Sequence, residues 1–179
     1  MREETRRQRY ENKFQTAQKL PISLCAINFQ TDNNLGHLIR TAACFGASQL
    51  YVVGHVPPRS RVKASSGSLV DYVEIVQFTT PQDFLEHAKN TGVQIVSAEL
   101  VEGARPLSTY NFNFDSHLCL VVGNEQTGIP AEITHRSQLV YINMPGVGYC
   151  LNTAQAANIL LYEAAKQYTT KKAQAFGAN

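Results

Sequence analysis

No apolar run in the sequence approaches the roughly 18 residues needed to span a bilayer, and the first residues are charged instead of forming a signal sequence. A cytoplasmic protein with no membrane partner is expected. Cysteine is sparse, and Cys25, Cys44, Cys119 and Cys150 are far apart, with no C-x-x-C pair and no histidine at ligand spacing. That spacing argues against both a metal site and a disulfide framework. No G-x-G-x-x-G follows the first apolar run and no Gly-Lys-Ser/Thr is present, so the signatures of dinucleotide and P-loop binding are missing. No nucleophile elbow is visible either. His37, His55, His87, His117 and His135 are scattered, and each reads as a surface or packing residue.

What remains is a chain of 179 residues, 44% hydrophobic, which is enough for one good core. The net charge of +2 is small but unevenly placed. Residues 1–19 hold six cations, Arg2, Arg6, Arg7, Arg9, Lys13 and Lys19, against three glutamates. Tyr10, Phe14 and Ala17 fall at helical spacing there, so residues 1–20 read as a basic helical extension and residues 21–179 as the main domain. Six β-rich runs follow, at Ile22–Ile27, Leu50–Val53, Tyr72–Phe78, Val93–Ala98, Leu118–Val122 and Leu139–Ile142. Helical patterns at Leu35–Phe45, Pro81–Asn90 and Thr153–Gln167 alternate with them. This predicts an α/β fold with a mostly parallel six-stranded sheet and helices on both faces.

Three segments after strand ends carry candidate chemistry, the place where open α/β sheets bind ligands. Asn33-Asn34-Leu35-Gly36 opens a helix that carries Arg40, a pairing of free N–H groups and guanidinium suited to phosphate. Gly123-Asn124-Glu125-Gln126-Thr127-Gly128 is a glycine-flanked turn with one carboxylate in it. Ile142 to Asn152 is a Pro/Gly-rich loop, with backbone groups able to hold a ligand and Asn152 suited to cap the last helix. Taken singly, each also has an ordinary turn or cap explanation. Between them Pro57 to Ser68 reads as a loop rich in cations and hydroxyls, with Arg59, Arg61 and Lys63 able to meet phosphates.

Together and in order, the three resemble the signature motifs of the SpoU branch of the SPOUT methyltransferases. Motif one is Asn34-x-Gly36-x-x-x-Arg40-Thr41-Ala42 with Gly46, and motif two is Gly123-x-Glu125-x-x-Gly128. Motif three runs from Met144-x-Gly146 through Leu151-Asn152 to Tyr162-Glu163. The likeness covers about Ile22 to Gln167, and the Lys63 to Ser68 stretch is most similar to the TrmH group of tRNA guanosine-2'-O-methyltransferases. The resemblance implies a deep C-terminal trefoil knot, a homodimer and transfer of a methyl group from S-adenosylmethionine to a ribose 2'-hydroxyl of RNA. tRNA is the expected substrate, with an rRNA methyltransferase or a non-catalytic RNA-binding relative as alternatives. It also implies cofactor contacts from Glu99, Gly123, Ile142, Gly146, Cys150 and Leu151. Asn34, Arg40, Glu125 and Asn152 would face the ribose or organise the motifs around it, with Arg40 a phosphate clamp or a base. Arg6, Arg7, Arg9, Arg59, Arg61 and Lys63 are the candidate RNA contacts, and no metal is expected. Cys150 stands where the family usually carries serine before Leu-Asn.

Overall fold

A computed structural model describes residues 5–148 and 150–176. It is an all-parallel sheet covered on both faces by helices, with strands β1 (Ile22–Ile27), β2 (Gln49–Val53), β3 (Glu74–Phe78), β4 (Gln94–Ala98), β5 (Arg105–Pro106), β6 (Leu118–Val122) and β7 (Gln138–Tyr141). The order across the sheet is β3-β2-β1-β6-β4-β7-β5. Six strands match expected runs, and β5 is a seventh that was not expected. Two residues of no distinct pattern become a strand there only because they pair with β7 at the sheet edge.

Burial on both faces explains the unbroken apolar character of the central strands. Leu24 and Ala26 of β1 point into one core, Cys25 and Ile27 into a second on the opposite face. The first core is closed by α2 (Asp32–Phe45), α3 (Arg59–Ser66) and α6 (Thr153–Phe176), the second by α4 (Pro81–Thr91) and the single turn α5 (Ala131–Thr134). Termini of these helices follow local chemistry. α2 stops at Gly46, which adopts φ +71° and returns its N–H to the Ala42 carbonyl. α4 starts at a reciprocal capping box between Thr80 and Asp83.

Two expectations need correction. The 57–68 segment is not a loop but α3 running into a 3-10 turn over Gly67–Tyr72, which also delays the start of β3 to Glu74. Apart from Val62 and Ala64, α3 is polar, so apolar periodicity had nothing to register, and the helix forms by lying against Gly36 of α2. The N-terminal helix α1 covers Arg6–Thr16 and ends short of Lys19, because Leu20 pairs as a bridge with Ala47. Residues 1–4 lie outside the described part of the chain.

Order of the strands sets where a ligand can sit. The chain leaves β1 toward β2 on one side, whereas β6, its other neighbour, leads to β7 on the far side of β4. The segments after these strands nonetheless meet at the carboxyl ends, where the turn after β6 is hydrogen-bonded to residues just past β1, at the kind of switch in chain direction where open α/β sheets bind ligands. β4 and β5 are consecutive in the chain yet β7 lies between them, so the 99–104 connection spans the last strand.

Candidate active site

That end of the sheet carries an unusual backbone position. Asn28, just past β1, has φ +45°, the one positive-φ residue other than glycine among those described. Its carbonyl accepts a hydrogen bond from the Asn124 side chain, and its N–H donates to the Val53 carbonyl. Asn124 holds the motif-two turn together as well. Its Oδ1 accepts from the Gln126 and Thr127 N–H groups at 2.8 and 3.1 Å, and its backbone pairs both ways with Gly128. Gly123 permits this closure, since a Cβ there would sit 2.3 Å from the Gly128 carbonyl carbon. The glycine serves close approach of the chain to itself.

Glu125 projects from this rigid turn toward motif one. Its Oε1 accepts from Asn34 Nδ2 at 2.6 Å and from the Thr31 hydroxyl at 3.5 Å, and its Oε2 accepts from the Gln30 N–H at 3.0 Å. Burial raises the Glu125 pKa, but the donors from Gln30, Asn34 and Thr31 outweigh it and hold the carboxyl below its ordinary value. It is therefore a charged acceptor at neutral pH and a poor proton acceptor in a reaction.

The line continues through Asn34, which is buried in the first turn of α2. Its Oδ1 accepts from Asn152 Nδ2 at 3.1 Å, and Asn152 Oδ1 in turn caps α6 by accepting from the Ala154 and Gln155 N–H groups at 2.9 and 3.4 Å. Both amide orientations are thus determined, by a carboxylate at one end and backbone donors at the other. Three segments separated by about 90 and 118 residues meet in one hydrogen-bonded line. Arg40 is exposed on α2 and has no ion-pair or hydrogen-bond partner among the described residues.

Beside this line is an open cavity of about 280 Å³, lined by the segments after β4, β6 and β7 and by the start of α6. Glu99, Gly123, Ile142, Cys150 and Leu151 all border it. Gly146 does not: it is exposed, with open space around it, because the chain turns outward past Met144, which still lines the cavity. Glu99 Oε2 accepts from the Ile129 N–H at 3.1 Å, tying the β4 loop to motif two. Among the described residues the lining holds two carboxylates, Glu99 and Glu125, and no lysine, arginine or histidine. Its charge suits a cationic ligand.

Cations expected to meet RNA lie elsewhere. Arg59, Arg61 and Lys63 are exposed on α3, where Arg59 pairs with Asp71 and Arg61 with Asp32 at 3.7 Å. Arg9 is exposed on α1, whereas the side chains of Arg6 and Arg7 lie outside those described. Tyr10 and Phe14 of α1 pack on Tyr72 with ring centres 6.1 and 5.1 Å away, which sets α1 beside the turn that follows α3. Asn28 and Gln30 were given no role from sequence, and Asn124 entered only as part of the motif-two turn. Each acts through a turn or a main-chain group, which leaves no spacing to recognise.

The SpoU rRNA methylase family model matches residues 21–162, a stretch that contains every segment of this site. The chain belongs to that family. It is 35% identical over 151 residues to the 23S rRNA (guanosine-2'-O-)-methyltransferase RlmB of Acinetobacter baylyi, covering 80% of this chain and 59% of that protein. It is 28% identical over 151 residues to the tRNA (guanosine(18)-2'-O)-methyltransferase of Escherichia coli, covering 82% and 63%. The chain thus spans about three fifths of these curated relatives. Among solved structures, an AdoMet-bound rRNA methyltransferase from Sinorhizobium meliloti superimposes with a TM-score of 0.76 at 30% identity, over 83% of this chain and 57% of that one.

Proposed function

We propose that this SpoU protein transfers a methyl group from S-adenosylmethionine to a ribose 2'-hydroxyl of RNA. The observation that carries the reading is the Glu125–Asn34–Asn152 line at the edge of an electronegative cavity. A carboxylate-lined, cation-free cavity fits a sulfonium donor, and Glu99, Gly123, Ile142, Cys150 and Leu151 would hold it. Bound there, the donor supplies a methyl already activated by its positive sulfur.

Little acid-base machinery is then needed from the protein. Glu125 is occupied by three donors and held ionised, and Arg40 carries a guanidinium, which offers donors and no acceptor. Arg40, unpaired on its helix, clamps a backbone phosphate, and the amide hydrogens left over on Asn34 and Asn152 steer the ribose. Alignment of the attacking oxygen supplies most of the acceleration. The hydroxyl proton leaves to solvent as the C–O bond forms and the C–S bond breaks.

RNA approaches, in this reading, across α3 and α1, where Lys63 stands without an ion-pair partner among the described residues and the pairs of Arg59 and Arg61 are exposed enough to exchange for phosphate. The substrate is tRNA, the class modified by the E. coli relative; the A. baylyi relative's name makes rRNA the competing outcome. The protein acts as a cytoplasmic homodimer. Ile159 and Tyr162 of α6 are 40% and 52% exposed, and Leu151 and Val147 ahead of that helix are exposed as well, apolar surface that favours a second copy there. β7 between consecutive β4 and β5 also favours the deep trefoil knot. Incubation with labelled S-adenosylmethionine and separated tRNA and rRNA tests the activity. Label in tRNA is the expected result, label in rRNA alone replaces the substrate, and label in neither despite cofactor binding refutes the function.

A further inference from the structure

Thr41, next to Arg40 on α2, is 3% exposed, and its hydroxyl meets Asn158 of α6 at 2.5 Å across 117 residues of sequence. The same oxygen lies 2.9 Å from the His37 carbonyl. A hydroxyl has one hydrogen, so either it donates to the Asn158 Oδ1, or it donates to His37 and Asn158 turns its Nδ2 toward it. In both cases one side-chain bond joins the two helices at this level.

A second such bond, between Asn34 and Asn152, joins them at another. From Asn34 to Thr41 is seven residues along α2, and from Asn152 to Asn158 is six along the start of α6. The helices therefore run in the same direction, and the two crosslinks are about 10 Å, or two turns, apart. A single contact leaves a helix free to pivot. Two contacts separated by two turns, added to the apolar packing of α2 and α6 in one core, hold both its axial register and its rotation more tightly than either contact alone. Leu151, just before α6, and Thr153 and Ala156 of its first turn line the cavity, whereas α2 carries Asn34 in its first turn and the exposed Arg40 six residues on. The register of α6 on α2 hence sets where the cavity-lining residues stand relative to Arg40.

We infer that Asn158 is a positioning residue for methyl transfer, acting through Thr41 to hold α6 and its cavity-lining start in register with Arg40. The inference rests on the proposed methyltransferase activity, and it makes a structural claim of its own. Asn158 touches neither the cavity lining nor the Glu125–Asn34–Asn152 line. Its loss should leave the components intact and their alignment impaired.

The test compares full-length wild type with Asn158→Ala, Thr41→Val, the double variant and Thr41→Ser. Expected are a kcat lower by about tenfold in both single variants, from a misplacement well below 1 Å, and no further loss in the double variant. S-adenosylmethionine Kd and RNA KM should stay within about twofold, and Thr41→Ser, which keeps the hydroxyl, should retain most of the rate. Independently of activity, the side-chain amide NMR signals of Asn34 and Asn152 should shift in Asn158→Ala. Unchanged kcat with unchanged amide signals overturns the inference, as does a kcat loss matched by loss of cofactor affinity. If wild type methylates no RNA, the proposed function falls, and the amide signals alone then decide whether Asn158 sets the helix register.

Discussion

Replacing Asn34 by aspartate should turn a pH-insensitive contact into a titrating one. Asn34→Asp puts a carboxyl oxygen where an amide nitrogen now donates to Glu125 Oε1 across 2.6 Å. Two carboxylates with charge centres about 4 Å apart repel by about 4 kcal/mol at an effective dielectric near 20. That is about 3 pKa units, enough to lift an ordinary aspartate near 3.9 to about 7. The proton belongs to the pair. With the proton bound, one oxygen donates to Glu125 while the other still accepts from Asn152, reproducing the polarity of the amide. Without it, the charged pair separates and the line breaks. The kcat of the variant divided by that of wild type should be near one at pH 6 and fall at least about tenfold by pH 8.5, a loss comparable to removing one charge-assisted hydrogen bond. Asparagine does not titrate and Glu125 is held below its ordinary pKa, so wild type lacks this transition. Asn34 does not line the cavity, and S-adenosylmethionine affinity should be flat across the series. A pH-independent ratio, or a fall that tracks lost cofactor binding, refutes the role given to the Asn34–Glu125 contact.

Other positions give sharper signs than magnitudes. Gly123→Ala forces a Cβ to within 2.3 Å of the Gly128 carbonyl carbon, so the motif-two turn must open. Thermal unfolding should report a loss of about 1–3 kcal/mol, the range for overpacked sites, together with weakened cofactor binding; an unaffected melting temperature would contradict the close approach. His117 meets the buried Ser23 hydroxyl at 2.7 Å, and burial lowers its pKa below the usual value. The unfolded chain then binds more protons, so stability present above about pH 6.5 is lost as the pH falls toward the folded value. His117→Asn should flatten that slope in urea titrations from pH 7.5 to 5, and an unchanged slope would assign the loss to other groups. Lys63→Gln should reduce the salt dependence of RNA binding by about one counterion; an unaltered slope removes Lys63 from the RNA face.

Legibility in the sequence followed burial and chain distance. Strands β1 and β6 matched their expected limits because both faces are covered and every residue is apolar or small. Strand β5 and helix α3 escaped, the first for want of length, the second because polar residues dominate it. Arg40, Glu125 and Asn152 were found as members of ordered motifs, whereas Thr41–Asn158 and Asn28–Asn124 were not seen as pairs. Neither has a characteristic spacing: Asn28–Asn124 depends on β6 lying beside β1, and Thr41–Asn158 on α6 packing against α2. For Arg40 the sequence already favoured a phosphate clamp over a base, and its lack of a side-chain partner among the described residues leaves its guanidinium open to that role.

The most direct test of the account is the chemical form of the product. RNA treated with the protein and trideuteromethyl-labelled S-adenosylmethionine would be hydrolysed with alkali and analysed by mass spectrometry. Label recovered in alkali-resistant dinucleotides, and absent when Arg40→Ala replaces wild type, is the predicted result. Label on a base, or equal ribose labelling by Arg40→Ala, would contradict it.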